Sequence, residues 1–275
     1  MSSNSPQILI TGATGYIGGD TLHAILLEFP HLESLISCLV RKSKHSELLR
    51  STYPSLKLVY GDFDDLSLLE FLASSVDIVI HCANIEDVAP TKALARGLAR
   101  RDRTGPAFWI CTSGTDILAW ETIRHGSYGE PREMVYNDMD DIFSVLALPD
   151  DAPHRDVEAA QQGATSFRVK TAIVCAPCIY GQGRGCGNQR SIQLPNLARF
   201  IIETGNAFMV GRGQNRWPNV HVHDLSNLFV RLTKEALAGG GIATWGLDGY
   251  YFAENGEHVW GRLPRKLQKK LSHKV

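Results

Sequence analysis

Long apolar runs are missing from this sequence of 275 residues, and its first residues do not predict a leader peptide. No apolar run approaches the roughly 18 residues that a membrane-spanning helix needs. The first residues, MSSNSPQILITGATG, contain neither a basic segment nor a long apolar one, so we expect no secretory signal. The six cysteines lie mostly within apolar runs such as VIHCA and AIVCA. That placement is typical of buried thiols in a reducing compartment, and a cytoplasmic protein is the expectation.

A basic excess is missing as well, because 28 Lys and Arg face 29 Asp and Glu. Six of the basic residues, and no acidic one, follow residue 261, so the first 261 residues carry 22 basic and 29 acidic side chains. This acidic excess argues against general nucleic-acid binding. We expect a small-molecule substrate as the partner, with neither nucleic acid nor a membrane. The sequence is compatible with a homodimer.

Apolar segments alternate with segments of helical periodicity along much of the chain. The predicted strands cover residues 7–11, 35–40, 56–60, 76–81, 107–111, 170–175 and 220–222. Alternation of this kind is typical of βαβ units and a parallel sheet. An acidic stretch, residues 130–158, interrupts the rhythm; we predict a surface excursion followed by a helix over residues 153–162. A further helix is predicted to start within residues 257–261, ahead of a basic tail at residues 262–275.

The first predicted strand leads directly into the glycine motif Thr11-Gly-Ala-Thr-Gly-Tyr-Ile-Gly18. Gly12 would permit the tight turn, Gly15 would let the backbone approach a pyrophosphate, and Gly18 would let the helix pack against the sheet. The N-terminus of the following helix offers N–H groups and partial positive charge to phosphates. The alternative is a glycine-rich turn without a ligand. The context of strand, turn and helix favours a dinucleotide site.

The motif and the alternation together predict a Rossmann-type doubly wound parallel sheet of about seven strands with a small C-terminal substrate lobe. We assign residues 1–180 to the dinucleotide-binding domain. Residues 181–275 form mainly the substrate lobe, with residues 214–236 returning to the Rossmann core.

An arginine, Arg41, follows the predicted second strand in the sequence Leu39-Val40-Arg41-Lys42. An acidic residue there would bind the adenosine ribose of NAD, whereas a guanidinium suits the 2′-phosphate of NADP. The alternative is a pair of solvated surface charges. Arg41 therefore favours NADP as the cofactor, with NAD left open.

These motifs resemble the extended and atypical short-chain dehydrogenase/reductase superfamily, close to nucleoside-diphosphate-sugar epimerases and NmrA-like proteins, and fungal members most of all. The resemblance implies cofactor contacts from both the glycine motif and later strand ends: Gly12, Thr14, Gly15, Tyr16, Ile17, Asp62, Phe63, Cys82, Ala83, Asn84 and Pro177. It implies a catalytic Ser113 at the end of the fifth strand. It also implies that Tyr180 lies beside the nicotinamide of the cofactor.

The superfamily normally uses a Tyr and a Lys four residues later as its proton-transfer pair. The only such spacing in this sequence joins Tyr53 to Lys57, far too early in the chain. Counting back from Val157-Glu158, which resembles a pair in the family's catalytic helix, places Asp150 and His154 at the two positions. His154 is the candidate substitute, since an imidazole titrates near neutral pH. The alternative is a surface or capping histidine.

Two further patterns suggest a metal only weakly. Cys175-Ala-Pro-Cys178 has no second pair, although structural zinc sites use four ligands. His221 and His223 would share one face of a strand, yet a joint at Asp224 explains the segment as structure. We expect no metal site.

Three functions are compatible with the sequence. The first is an NADP(H)-dependent oxidoreductase acting on a small carbonyl or alcohol, in secondary metabolism, with Ser113, His154 and Tyr180 as candidate catalytic residues. The second is a non-redox isomerase, dehydratase or cyclase. The third is a non-enzymatic dinucleotide sensor.

Overall fold

Ten strands occur in residues 5–272, which are the residues that the computed structural model describes. The strands are β1 (Ile8–Thr11), β2 (Ile36–Val40), β3 (Lys57–Tyr60), β4 (Ile78–His81), β5 (Ala107–Gly114), β6 (Val169–Ala176), β7 (Cys178–Tyr180), β8 (Arg216–His221), β9 (Tyr250–Phe252) and β10 (Glu257–Val259). Seven of them form one sheet in the order β3-β2-β1-β4-β5-β6-β9, with every neighbouring pair parallel. The predicted parallel sheet of about seven strands is confirmed.

Ten α-helices connect and cover the strands within the same residues. They are α1 (Tyr16–Glu28), α2 (Lys44–Thr52), α3 (Leu66–Ser74), α4 (Val88–Ala99), α5 (Trp120–His125), α6 (Ile142–Leu146), α7 (Arg155–Gln162), α8 (Gln193–Thr204), α9 (Val222–Leu237) and α10 (Arg262–Ser272). The longest, α9, has 16 residues. None of the helices in the described part of the chain is long and apolar enough to cross a membrane.

The sheet is covered on both faces, which explains why its strands are mainly apolar. Side chains alternate along a strand, so Ile8 and Ile10 of β1 join one core layer while Leu9 joins the other. The first layer contains side chains of α1 and α9, and the second contains side chains of α3 and α4. The doubly wound arrangement predicted from the sequence is therefore confirmed.

The strand order reverses beside β1, whose neighbours are β2 on one side and β4 on the other. The chain moves outward from β1 to β3 and then returns across β1 to β4. In doubly wound sheets a crevice opens at the carboxyl ends of the strands where the order reverses, and ligands bind there. This crevice lies between the turn after Thr11 and the loop after His81.

The prediction of a helix that starts within residues 257–261 is wrong. Those residues open with strand β10, which pairs antiparallel with β8 in a second sheet of order β10-β8-β7. Trp260 follows the strand and packs near Trp217 of β8, with ring centroids 5.5 Å apart. The helix begins only at Arg262 and contains the basic tail as far as residue 272; residues 273–275 lie outside the described range.

Candidate active site

The turn between β1 and α1 is shaped by glycine. Gly12 has φ +78°, a left-handed conformation that L side chains rarely adopt, and a Cβ there would collide with the carbonyl of Cys82. A Cβ at Gly18 would collide with the carbonyl of Gly12. These two glycines therefore hold the turn tight and bring α1 against the end of β4, as the sequence predicted.

Gly15 differs from these two because only one atom lies near the position that a Cβ would take. A Cβ at Gly15 would meet only the Gly12 carbonyl oxygen, at 3.1 Å. Gly15 is also the N-cap of α1, and no side chain caps the helix. An uncapped helix N-terminus beside a vacant Cβ position is the geometry that accepts a phosphate group. The residues present therefore fit the pyrophosphate of a dinucleotide.

Arg41 directly follows β2, the strand beside β1, at the same edge of the sheet as the glycine turn. Its side chain is exposed, and it has no ion-pair or hydrogen-bond partner within residues 5–272. Asp62 and Phe63 follow the next strand, β3; Asp62 is exposed, and Phe63 is half-buried. The predicted cofactor residues of the first three strands therefore follow the carboxyl ends of neighbouring strands.

His81 was not singled out by the sequence analysis, although it organises this edge of the sheet. Its ring is fully buried, with Nδ1 2.7 Å from the Thr11 hydroxyl, and it stacks on Phe63 at 5.2 Å between centroids. Burial lowers its pKa to about 4, so the ring is neutral at physiological pH. The only signal in the sequence was a polar residue ending an apolar strand, just before Cys82, Ala83 and Asn84.

Ser113 lies near the carboxyl end of β5 and is 4% exposed. Its Oγ donates to Glu158 Oε1 at 2.5 Å. Tyr250, on β9, donates to the same oxygen at 2.9 Å. Glu158 is 2% exposed, so three elements bring two hydroxyl groups and one carboxyl group together inside the protein. Neither Glu158 nor Tyr250 was among the predicted site residues.

His154 lies beside Ser113, at the N-cap of α7. A Cβ at Gly114 would lie 3.1 Å from its Nε2, which shows how near the ring is to the end of β5. Nε2 is 2.8 Å from Asp116 Oδ1, and Nδ1 is 3.5 Å from Glu86 Oε1. The ring is buried, which contradicts the alternative of a surface histidine.

Opposing effects act on the His154 imidazole. Burial alone would lower its pKa, but the hydrogen bond and the charge of Asp116, helped by Glu86, raise it above the ordinary histidine value. Reciprocally, burial would raise the pKa of Asp116, and the hydrogen bond from His154 holds it below its ordinary value. The imidazole is therefore biased toward the protonated form.

The backbone at His154 is also unusual. With φ +61°, it is the only non-glycine residue of the described range in the left-handed region. Such conformations cost on the order of 1–3 kcal/mol and concentrate at functional sites. The strain places the ring against Asp116 at the start of α7.

The positions that the family resemblance assigns to Tyr and Lys precede helix α7. Asp150 is exposed, in a turn, four residues before His154. Tyr53 and Lys57, the only pair with the family spacing, lie at the amino end of the outermost strand β3. Ser113 lies toward the carboxyl end of β5, so Tyr53 and Lys57 lie at the opposite edge of the sheet.

Tyr180 occupies a different environment from Ser113. It ends β7 in the second sheet, where its ring packs edge-to-face on His221 at 5.3 Å. It also lines a cavity of about 510 Å³ together with the glycine-rich loop and the start of α8. Pro177, between β6 and β7, is buried. The structure therefore places Ser113 and His154 at the end of β5, and Tyr180 beside this cavity.

The glycine-rich loop at residues 181–187 is fastened to α1. Asp20 of α1 is fully buried and accepts hydrogen bonds from the Arg184 backbone N–H at 2.7 Å, Nε at 3.0 Å and Nη2 at 2.7 Å. Ser226 of α9 donates a fourth, at 2.6 Å. A Cβ at Gly187 would collide with the Thr14 carbonyl. The loop therefore lies directly against the glycine turn.

Neither of the two residue pairs considered for metal binding shares one strand. Cys175 belongs to the central sheet and Cys178 to the second sheet. The placement of His221 and His223 on one strand face is wrong: His221 ends β8, and its Nδ1 accepts the backbone N–H of His223, inside α9. Within residues 5–272, no three His, Cys, Asp or Glu side chains are arranged to hold a metal ion.

Comparisons with known proteins agree with this geometry. The model of the NAD dependent epimerase/dehydratase family matches residues 8–106. Oxidase ucsJ of Acremonium sp is 40% identical over 271 residues, which span 95% of this chain and 77% of that relative. The chain therefore belongs to the extended short-chain dehydrogenase/reductase family of NAD-dependent epimerases and dehydratases.

Solved structures share the fold at low sequence identity. DesIV, a dTDP-glucose 4,6-dehydratase from Streptomyces venezuelae with NAD bound, has a TM-score of 0.68 at 18% identity, over 97% of this chain and 81% of that one. The UDP-N-acetylglucosamine 4-epimerase of Methanobrevibacter ruminantium has a TM-score of 0.64 at 13% identity, over 98% and 83%. The resemblance inferred from the sequence is confirmed.

Proposed function

We propose that this protein is an NADP(H)-dependent oxidoreductase that acts on a small organic carbonyl or alcohol. The observation that carries the proposal is the open phosphate cradle: Gly15 leaves its side free at the uncapped N-terminus of α1. This cradle lies at the reversal of strand order, with Ser113 two strands away at the same edge of the sheet.

The residues around the cradle would hold the cofactor by complementary chemistry. Backbone N–H groups from Gly12 to Ile17, with Thr14 and Tyr16, would bind the pyrophosphate. Asp62 and Phe63 would flank the adenosine half. Cys82, Ala83, Asn84 and Pro177 would line the path toward the nicotinamide. The exposed, unpartnered Arg41 supports NADP over NAD, because its guanidinium can form paired hydrogen bonds with a 2′-phosphate.

A bound nicotinamide would supply or accept a hydride. In this proposal the Ser113 hydroxyl orients the substrate oxygen, and His154 holds positive charge close to it. The cavity beside Tyr180 would admit the substrate, within the lobe assigned to residues 181–275. The name of the Acremonium relative, an oxidase, supports redox chemistry, and NAD bound to the dehydratase DesIV supports a nicotinamide cofactor. A role in secondary metabolism is part of the proposal.

A non-redox isomerase, dehydratase or cyclase is the second candidate. It is favoured by the position of Asp150, which is exposed in a turn where the family resemblance puts a tyrosine. In that case the cluster around Ser113 would move protons without a net hydride transfer. Turnover that persists without nicotinamide would favour this candidate over the oxidoreductase.

The experiment is a calorimetric titration of the purified protein with NADPH and with NADH, followed by NADPH oxidation with a panel of aldehydes and ketones. We expect tighter binding of NADPH and oxidation by at least one compound. Arg41→Asp should reverse the preference, since a charge-assisted hydrogen bond contributes about 1.5–3 kcal/mol, roughly a tenfold to hundredfold change.

Arg231→Asp is the matched control, because Arg231 is also an exposed cation without an ionic partner in the described residues and lies on α9. This control should bind both cofactors as the wild type does. A protein that binds neither dinucleotide would contradict the proposal. An unchanged NADPH-to-NADH ratio in Arg41→Asp would remove Arg41 from the cofactor site.

A further inference from the structure

Glu158 lies where α7 crosses the ends of three strands. Ser113 of β5 is paired in register with Cys175 of β6, and Tyr250 of β9 is paired with Ile173. Because residues two apart on a strand share a face, these side chains point to the same side of the sheet. Glu158 reaches this side from α7, and its Oε1 accepts from both Ser113 and Tyr250.

The other carboxyl oxygen of Glu158 has no partner. Oε2 is buried and makes no hydrogen bond with any described residue. The neighbours of Glu158 include Tyr250 and Cys175, which belong to one buried cluster. An ionised carboxylate with an unsatisfied oxygen in such surroundings is strongly disfavoured, whereas a neutral carboxylic acid is tolerated.

The charged groups nearby do not reverse this preference. The titratable groups that face Glu158 from the elements packed against it are Cys111, His154, Arg155, Cys175 and Tyr250. Arg155 directs its guanidinium to Gln162 and to the Leu146 carbonyl, and His154 pairs with Asp116. Burial therefore raises the pKa of Glu158, although the hydrogen bonds from Ser113 and Tyr250 act to lower it.

We propose that Glu158 holds a proton that it shares with Ser113, so that the Ser113–Glu158 pair is the proton-donating unit of the active site. This inference rests on the proposed function. When a substrate oxygen is protonated, the O–H bond of Ser113 breaks and an O–H bond forms on the substrate. For this step the Ser113 hydroxyl turns from Oε1 toward the substrate, so that Ser113 Oγ can accept the proton that Glu158 carries on Oε1. That O–H bond of Glu158 breaks as Ser113 regains its proton. The resulting carboxylate accepts from Tyr250 until solvent returns one proton.

His154 is less suited to this donation, for an electrostatic reason. Its proton is held by Asp116 at 2.8 Å, with Glu86 on the other side of the ring. Donation would leave two carboxylates facing a neutral imidazole. Glu158 becomes an anion when it donates, but two hydroxyl groups are already in place to stabilise that anion. Glu158 therefore acts through Ser113 as a positioning residue, and His154 provides charge.

The first test needs no substrate. Infrared spectra at pH 7 should show a carboxylic-acid C=O stretching band in the wild-type protein that is missing in Glu158→Gln. The band should shift in Ser113→Ala, which removes the hydroxyl partner, and remain unchanged in Glu203→Gln, an exposed glutamate on α8. Absence of the band from the wild type would overturn the inference, since Glu158 would then be ionised.

The second test uses a carbonyl compound that the wild-type protein reduces. Glu158→Gln should lower kcat about 10²-fold or more, the magnitude expected for loss of a proton donor. KM and NADPH affinity should stay unchanged. The wild-type kcat should fall as pH rises through the Glu158 pKa, and this decline should be missing in Glu158→Gln. An unchanged kcat in this variant would overturn the inference.

A third variant guards against a folding defect. Tyr250→Phe keeps the ring and removes one hydroxyl from Oε1, so it should shift the infrared band and lower kcat even if Glu158→Gln does not fold. An unshifted band in Tyr250→Phe would overturn the hydrogen-bonded unit. If the wild-type protein reduces no compound of the panel, the proposed function fails. The infrared band still decides whether Glu158 holds a proton beside Ser113.

Discussion

Removing either partner of the Asp20–Arg184 ion pair should destabilise the protein by clearly different amounts. Asp20 is fully buried, whereas the Arg184 side chain remains 28% exposed. Arg184→Gln therefore leaves a buried carboxylate whose remaining side-chain partners in the described residues are the Ser226 hydroxyl and, at 3.9 Å, the His223 imidazole. Asp20→Asn leaves a guanidinium that can turn toward water. The arginine substitution should be the more costly one.

The magnitudes follow from that asymmetry. Loss of one partner from a buried ion pair costs about 3–5 kcal/mol when the other charge cannot escape. We expect about 3 kcal/mol for Arg184→Gln, because the loop at residues 181–187 can admit some water. For Asp20→Asn we expect about 1–2 kcal/mol, the cost of weakened hydrogen bonds. The double variant should cost about 1–3 kcal/mol less than the sum of the two single ones, because the residues are in contact.

Urea denaturation at pH 7 and pH 5 measures these differences. In the wild type, burial acts to raise the pKa of Asp20, but the hydrogen bonds from Arg184 and Ser226 hold it below its ordinary value. The stability that Asp20 contributes is therefore present at both pH values and is lost only at more acidic pH. Without Arg184, burial dominates and the pKa rises, so Arg184→Gln should regain stability as the pH falls from 7 to 5.

Arg190→Gln is the control, because Arg190 is an exposed cation of the same region without an ion-pair partner in the described residues. It should change the free energy of unfolding by no more than about 0.5 kcal/mol. An Arg184→Gln variant that is as stable as Asp20→Asn would refute the reasoning. So would a variant whose stability declines between pH 7 and pH 5.

Substitutions at three other positions should separate cofactor binding from chemistry. Gly15→Val should abolish NADPH binding, because its side chain fills the open side of the cradle. Gly15→Ala, whose Cβ meets one oxygen at 3.1 Å, should bind NADPH weakly and stay folded. Calorimetry measures the binding and thermal melting measures the folding of both variants. Ser113→Ala should lower activity more than His154→Ala, and both should bind NADPH as the wild type does. The raised pKa of His154 stabilises the wild-type fold fully below the ordinary histidine pKa, and this stabilisation is lost as pH rises through the pKa of the folded protein. His154→Ala should remove this contribution, and melting temperatures measured across pH 5–9 would reveal the loss.

The fold could be predicted from the sequence because its signals are local. A strand, a glycine turn and a helix follow one another within residues 8–28, and the buried strands are mainly apolar. The short elements could not be predicted in the same way. Strand β9 has three residues and is fixed by pairing with β6, about 75 residues earlier in the chain. Strand β10 depends equally on β8, and without that pairing its residues suggested a helix.

In the candidate site, too, the local features could be predicted and the long-range contacts could not. The cradle is contiguous in sequence, and the predicted functions of Gly12 and Gly18 agree with the geometry. The contacts of Ser113 span 45 residues to Glu158, and Tyr250 is 92 residues from Glu158. In the sequence, Glu158 was one of nine acids in an acidic stretch, and the Val157-Glu158 resemblance marked the helix without indicating contacts with Ser113 and Tyr250.

The geometry of helix α7 supports the proposal that this cluster supplies the proton chemistry. The helix begins at Arg155, so the position that the resemblance assigns to tyrosine, Asp150, lies in an exposed turn outside it. A side chain there is not held by helical packing against the strand ends. His154 is held there by a strained backbone, and Glu158 by its position one turn into the helix. Since Ser113 already bonds to Glu158, the shortest path for a proton from the buried carboxyl group to the crevice passes through the serine hydroxyl.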